Sequence, residues 1–221
     1  MSLYKILRQV PIFGTLLSIV NAYAYRGDLS AGKKFAGFPA YVAALWRPIL
    51  VSLLLTGAVL HQWVATLWFR CEPLMSQLKN FSASPGSLSL SVIPSLLGFG
   101  IGVYALTFAI PERLVRDMDE LLTKAIEMGR RKHGSVLVLN ADLGYPLVVL
   151  TVALGVGVFQ QSSPDVRSLV AICWFTFWYS VISMIEIIGV LFQLGDIAIL
   201  EKRSSTKTSS PQDSGDDEKS E

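Results

Sequence analysis

The order of apolar and polar residues divides the chain into long, mostly apolar runs separated by charged segments. A helix needs about 20 mostly apolar residues to cross roughly 30 Å of hydrocarbon, and runs of that length lie at residues 48–69, 91–110 and 169–193. A fourth run, at residues 145–159, reaches that length only with its polar neighbours, so we assign residues 135–160 to a lead-in and a third span. The pattern predicts an all-α polytopic membrane bundle with about four transmembrane helices.

The N-terminal apolar segment is ambiguous. Residues 10–25, VPIFGTLLSIVNAYAY, are apolar but short, and Pro11, Gly14 and Asn21 interrupt them. We expect an interfacial or re-entrant helix rather than a fifth span. It belongs to a basic, membrane-associated segment at residues 1–47.

The periodicity changes after the second span. In residues 111–134, apolar side chains recur at spacings of four and three with charges between them, which predicts a cytoplasmic amphipathic helix. Its apolar stripe, the predicted partner-docking surface, is Leu114, Met118, Leu121, Ala125 and Met128. The stripe would pack on a second copy, on residues 1–47, on a soluble cytoplasmic protein or on lipid headgroups. The following SVLVLNADLG fits either a short strand or the polar lead-in to the third span.

Composition and charge agree with a membrane protein and orient it. The chain is 52% apolar and 16% charged, with a mean hydropathy of +0.48, whereas soluble domains carry about 25% charge. Six, six and four Lys and Arg residues lie before the first span, between the second and third, and after the fourth, against two and one in the loops at residues 70–90 and 161–168. Because cytoplasmic segments are enriched in these residues, we expect both termini to be cytoplasmic, in a plasma (inner) membrane.

One predicted span carries its smallest residues along one seam. They recur at spacings of three and four within residues 94–111, a stretch without a charged side chain. Small residues let helix backbones approach closely in lipid. The predicted helix-packing seam is Ser95, Gly98, Gly102, Ala105 and Ala109. It marks a contact either inside one bundle or between protomers.

Ionisable residues at membrane depth are costly and are candidates for function. His61 shares a helix face with Gly57 and Ala58, so we expect it to face the bundle interior. Glu186 lies on a polar stripe with Tyr179, Ser183 and Gln193. This stripe fits either a polar contact near the inner interface or part of a water-filled ion route.

No pattern of catalytic or metal-binding residues stands out. The chain has two histidines and two cysteines, without HExxH or GxSxG, so we expect no enzyme activity, cofactor or metal. A nucleic-acid-binding module is also absent from the sequence, and the basic residues suit anionic headgroups. Cys71 and Cys173 lie toward the same predicted side, and separate free thiols are the simpler expectation than a disulfide.

Residues 194–221 end in a segment rich in Ser, Asp and Glu, which predicts a disordered cytoplasmic tail. The sequence contains clearer signals of helix–helix contact surfaces than of an ion-permeation route. The sequence therefore favours a membrane subunit that forms homo-oligomers through the seam and acts as a sensor or anchor for a cytoplasmic partner. The alternative is a small ion channel or transporter that uses the stripe around Glu186.

Overall fold

The computed structural model contains six α-helices in the part of the chain that it describes. The described residues are 7–8, 10–26, 31, 34–61, 84–109, 112–129 and 137–208, with backbone alone at residues 113, 114, 117, 121, 122, 125, 137, 197 and 200–208. The helices are α1 Phe13–Tyr25, α2 Phe38–Val59, α3 Pro85–Leu106, α4 Glu112–Glu127, α5 Leu137–Ser162 and α6 Arg167–Thr208, and a 3₁₀ turn at Thr107–Ala109 extends α3. These residues contain no strand, so the prediction of an all-α fold is confirmed.

Four of these helices are long and apolar enough to cross a membrane. The crossing stretches are Phe38–Val59, Pro85–Ala109, Val138–Ser162 and Arg167–Asp196. The prediction of four spans in a membrane protein is confirmed. By contrast, α1 has 13 residues and a length of about 20 Å at 1.5 Å per residue, which is too short for a fifth crossing helix.

The first span begins earlier than predicted. We placed its start at Pro48, after the charged Arg47, whereas α2 begins at Phe38. Arg47 lies on an exposed face of the helix, with its guanidinium 5.7 Å from the ring centre of Trp46. A long cationic side chain on such a face can extend toward the membrane surface, so a single arginine does not end the helix. Residues 62–69 of the predicted span lie outside the described residues.

Helices also continue into the predicted loops. α3 begins at Pro85 rather than at residue 91, because proline is well suited to a first helical turn. α5 is helical from Leu137, so the strand alternative for SVLVLNADLG is wrong from that residue onward. The predicted loop at residues 161–168 is reduced to residues 163–166.

The last helix runs well past the predicted end of the fourth span. α6 continues to Thr208, so the prediction of a disordered tail is wrong for residues 194–208. The segment IAILEKR that follows Asp196 is rich in good helix formers and holds no proline, which lets the membrane helix extend outward. The remainder of the predicted tail, residues 209–221, lies outside the described residues.

α5 is the central helix of the bundle. It packs against α3, α6 and α1, while α6 also contacts α2 and α3, and α1 contacts α2. The apolar core lies between α3, α5 and α6 and comprises Ile93, Val103, Leu139, Leu143, Leu150, Ala153, Met184 and Ile187. α4 differs from the other described helices, since none of them packs extensively against it.

α3 and α5 cross closely at small residues near one end of the bundle. A Cβ atom at Gly157 would lie 2.9 Å from the Cβ of Ser89, and one at Gly86 would collide with the side-chain oxygen of Gln160. That oxygen accepts hydrogen bonds from the Gly86 N–H at 3.0 Å and from the Ser84 hydroxyl at 2.9 Å. The carboxamide of Gln160 thereby satisfies polar groups at the start of α3 that hydrocarbon cannot.

The helical rise gives the depth of the opposite end. From Tyr145 to Gln160, α5 rises about 22 Å at 1.5 Å per residue. With Gln160 near one face of a hydrocarbon core of roughly 30 Å, Tyr145 lies within about 8 Å of the other face. α1 packs at this level, because its Tyr23 stacks on Tyr145. The expectation of an interfacial or re-entrant helix at residues 10–25 stays a prediction.

Candidate functional site

The predicted seam lies on the outside of the protomer. All five of its residues are exposed, and a Cβ atom at Gly98 or Gly102 would have no neighbour within 4 Å. The opposite face of α3 is the one that packs, with Ile93, Gly100 and Val103 buried. A role for Ser95, Gly98, Gly102, Ala105 and Ala109 in contacts inside one bundle is therefore wrong, and their role between protomers stays a prediction.

His61 is also placed differently from the expectation. Its side chain is exposed, and its Nδ1 lies 3.0 Å from the carbonyl oxygen of Ala58 in the preceding turn. The expectation that it faces the bundle interior is wrong, because the buried positions of α2 are Ala44, Pro48, Ser52 and Thr56. His61 lies at the far end of α2 from α1.

The polar stripe on α6 divides between the interior and the surface. Tyr179 and Ser183 are buried, and Glu186 is partly buried. Their spacings of four and three place them on one face of the helix. Gln193, which we assigned to the same stripe, is exposed.

Three tyrosines from three helices join Glu186 in one cluster. The hydroxyl of Tyr23 in α1 donates a hydrogen bond to Glu186 Oε2 at 3.2 Å. The ring of Tyr23 stacks on Tyr145 in α5, with centroids 4.1 Å apart and an angle of 12° between the planes. The hydroxyls of Tyr145 and Tyr179 are 2.7 Å apart. We name Tyr23, Tyr145, Tyr179 and Glu186 the tyrosine–glutamate cluster.

The electrostatics of the cluster hold Tyr23 in its donor form. Burial, followed by the negative charge of Glu186, raises the pKa of the Tyr23 phenol above its ordinary value. Tyr23 is therefore neutral at physiological pH and keeps the proton that it donates. The geometry thus gives the carboxyl group of Glu186 one phenol donor from a neighbouring helix.

Asn21 fixes the end of α1 that carries Tyr23. Its side chain is fully buried, and its amide nitrogen donates to the carbonyls of Ala31 and Lys34 at 2.9 and 3.0 Å. Its amide oxygen accepts from the Ala36 N–H at 2.8 Å and the Tyr41 hydroxyl at 2.7 Å. Two donated and two accepted bonds fully satisfy a primary amide. Asn21 therefore ties α1 to the start of α2.

Two buried polar atoms near the cluster have no hydrogen-bond partner among the described residues. They are the hydroxyl of Ser183 and the indole nitrogen of Trp178. A buried hydroxyl without a partner costs about 1–3 kcal/mol. Ser183 thus places a hydroxyl without a described hydrogen-bond partner on the face of α6 that carries Glu186.

The amphipathic segment is helical, as we predicted, over Glu112–Glu127. Of its predicted docking residues, Met118 is half-buried, and Met128 is exposed just beyond the helix. The side chains of Leu114, Leu121 and Ala125 lie outside the described part of the chain. Their docking role stays a prediction.

The thiol of Cys173 is free and buried, with its Sγ 3.7 Å from the hydroxyl oxygen of Ser89. Cys71, the other half of the disulfide that we considered, lies outside the described residues. Within the described ranges, no group of three His, Cys, Asp or Glu side chains comes together as metal ligands would.

Sequence reasoning placed Glu186 and Tyr179 on one stripe and missed Tyr23 and Tyr145. These two tyrosines lie in apolar runs, where their rings count toward the hydrophobic pattern and their hydroxyls give no signal. Asn21 interrupts such a run, which is the one signal that could have pointed to the anchored end of α1.

The chain has no match among protein-family models, characterised proteins or solved structures.

A double-mutant cycle tests the bond between α1 and α6. Tyr23→Phe and Glu186→Gln each weaken the same hydrogen bond, so their effects on the free energy of unfolding in detergent should couple by about 1–2 kcal/mol. The matched control is Tyr104→Phe, whose hydroxyl bonds to Asn140 instead; it should be additive with Glu186→Gln. Additivity of Tyr23→Phe with Glu186→Gln would show that the bond contributes nothing.

Proposed function

We propose that this protein is a non-enzymatic integral membrane subunit that oligomerises through the seam on α3 and acts as a sensor or anchor for a cytoplasmic partner. The observation that carries the proposal is the exposure of the whole seam. Lipid chains are as apolar as helix side chains, so the gain on pairing must come from close packing. A strip of small residues allows this packing with the same strip on a second copy.

The second support is α4, a charged amphipathic helix that has no extensive packing partner among the described helices. It begins three residues after the end of the 3₁₀ turn that extends α3, so the seam and the docking helix are neighbours along the chain. We infer that α4 docks a soluble protein. Its apolar stripe would contact the partner, and exposed charges such as Glu120 and Lys124 would surround that contact.

The orientation that we propose places α4 and both termini in the cytoplasm of a plasma (inner) membrane. It rests on the Lys and Arg bias, since segments at the α4 end hold most of these residues. The packing of the bundle is compatible with this arrangement. α1, the start of α5 and the outer part of α6 lie at one end, whereas Gln160 and residues 163–166 lie at the other.

Replacement of Gly98 by leucine tests the seam. The new side chain meets nothing inside the protomer but blocks close approach of a second helix. Gly98→Leu should therefore abolish dimers or higher oligomers in lipid bilayers, measured by single-molecule photobleaching, while the fold is retained. Gly155→Leu is the matched control, because Gly155 also has open space around it but lies on α5.

The same preparations test α4. Leu121→Glu should release a soluble protein that co-purifies with the native chain, and Thr123→Glu, at an exposed position, should retain it. Unchanged oligomers in Gly98→Leu would contradict the seam, and equal retention in both α4 variants would contradict the docking role.

The second candidate function is a small ion channel or transporter. The observation in its favour is the buried polar face of α6, where Ser183 has no partner within the described part of the chain and Glu186 is only partly buried. Such residues at membrane depth are typical of ion and proton routes. In this reading, Glu186 exchanges its bond with Tyr23 for a passing cation.

Flux measurements separate the two functions. Purified protein in liposomes should conduct cations or protons, and Glu186→Gln should reduce the flux severalfold, because it removes the charge but keeps the shape of the side chain. The exposed Gln193→Ala is the control and should leave the flux unchanged. The absence of flux for protons, Na⁺ and K⁺ in the native protein would reject the channel.

A further inference from the structure

An open groove of about 450 Å³ runs between α1, α3 and α5. Apolar side chains form most of its walls: Ile19 from α1, Leu97 and Ile101 from α3, and Leu147 and Val148 from α5. Its volume lies within the roughly 300–1,000 Å³ that is usual for small-molecule sites. Two of the three walls are crossing helices, so the groove opens toward hydrocarbon.

One end of the groove is polar. The hydroxyl of Tyr104 donates to the side-chain oxygen of Asn140 at 2.7 Å, and both residues line the groove. Because this bond uses the oxygen of the amide, the N–H groups of the exposed Asn140 side chain are left to donate. That end therefore suits a ligand with a hydrogen-bond acceptor.

The polar and apolar ends of the groove lie at the membrane depths where the headgroup and acyl chain of a lipid lie. At about 1.5 Å per residue, Asn140 lies roughly 30 Å along α5 from Gln160, at headgroup level in a typical bilayer. Thr151, which lines the other end, lies only about 13 Å from Gln160, close to the middle of the membrane. The polar end is thus at the interface, and the apolar walls descend into one leaflet.

The length of the groove fits one leaflet of a bilayer. From Asn140 to Thr151 it is about 16 Å long at 1.5 Å per residue, close to half of a hydrocarbon core of roughly 30 Å. An extended acyl chain that runs from the interface to the middle of the membrane therefore matches this length.

We propose that the groove binds one acyl chain of a glycerophospholipid, with an acceptor oxygen of the headgroup region hydrogen-bonded to Asn140. The site does not depend on the proposed function, since it requires only that α3 and α5 cross the membrane. It would hold α1 against the bundle through apolar contacts with Ile19, in addition to the polar contacts of Tyr23.

The test uses protein reconstituted in vesicles of phosphatidylcholine and phosphatidylglycerol that contain a phosphatidylcholine with a diazirine on its acyl chain. Illumination should attach the probe to groove residues of α1, α3 and α5, located by peptide mass spectrometry. Even labelling over all lipid-facing helices would mean that only bulk lipid contacts this surface, and would overturn the proposal.

Replacement of Gly144 by leucine blocks the groove. A Cβ there is tolerated, at 3.8 Å from the Cγ2 of Ile19, and the rest of the side chain would occupy the space that the acyl chain needs. Lost contact with about two methylenes should lower groove labelling and the lipid retained in detergent about tenfold. Gly155→Leu, on the same helix, is the control and should bind as the native protein does.

Asn140→Leu tests the polar end and should reduce lipid retention severalfold with the fold intact. Two further results would contradict the proposal. One is equal lipid binding by Gly144→Leu and the native chain. The other is loss of the bound lipid in the Gly98→Leu variant, because the lipid would then belong to an interface between copies.

Discussion

Hydrocarbon supplies no hydrogen bonds, and this constraint shapes every described part of the molecule. Each backbone polar group at membrane depth must be satisfied by its own helix, and polar side chains must find partners inside the protein. Gln160 therefore bonds the start of α3 at one end of the bundle, and Asn21 satisfies all four positions of its amide at the other. The apolar core between α3, α5 and α6 fills the space between these two polar layers.

The polar layer at the α1 end contains most of the buried polar side chains that bond between helices. The tyrosine–glutamate cluster connects α1, α5 and α6, and the apolar groove borders the same short helix. Ile19, which lines the groove, is one helical turn from Tyr23, so the groove and the polar contact lie on neighbouring turns of α1. Asn21 connects α1 to the start of α2, since it bonds to Tyr41 and to the segment before it.

The fold class and the number of spans could be predicted from the sequence because both follow from the length of apolar runs. Helix ends could not, because they depend on local geometry: Arg47 looked like a boundary but lies on an exposed helix face, and the residues after Asp196 stay helical. The spacing of small residues predicted the seam on α3, but it could not predict whether the seam faces the bundle interior or the outside of the protomer. α3 has a second set of small residues, Gly86 and Ser89, and only packing reveals that these meet Gly157. The contact of Tyr23 with Glu186 joins distant parts of the chain, so no local pattern encodes it.

The central claim is that α3, α5 and α6 cross a bilayer, and the proposed orientation places α4 on the cytoplasmic side. Cysteine accessibility in sealed vesicles of both orientations tests it most directly, in a chain with Cys71→Ser and Cys173→Ala as background. Thr123→Cys in α4 should react with a membrane-impermeant maleimide only from the cytoplasmic side. Ser163→Cys, between α5 and α6, should react only from the opposite side, and Phe99→Cys, midway along α3, from neither. Reaction of Thr123→Cys and Ser163→Cys from the same side, or ready labelling of Phe99→Cys, would contradict the account.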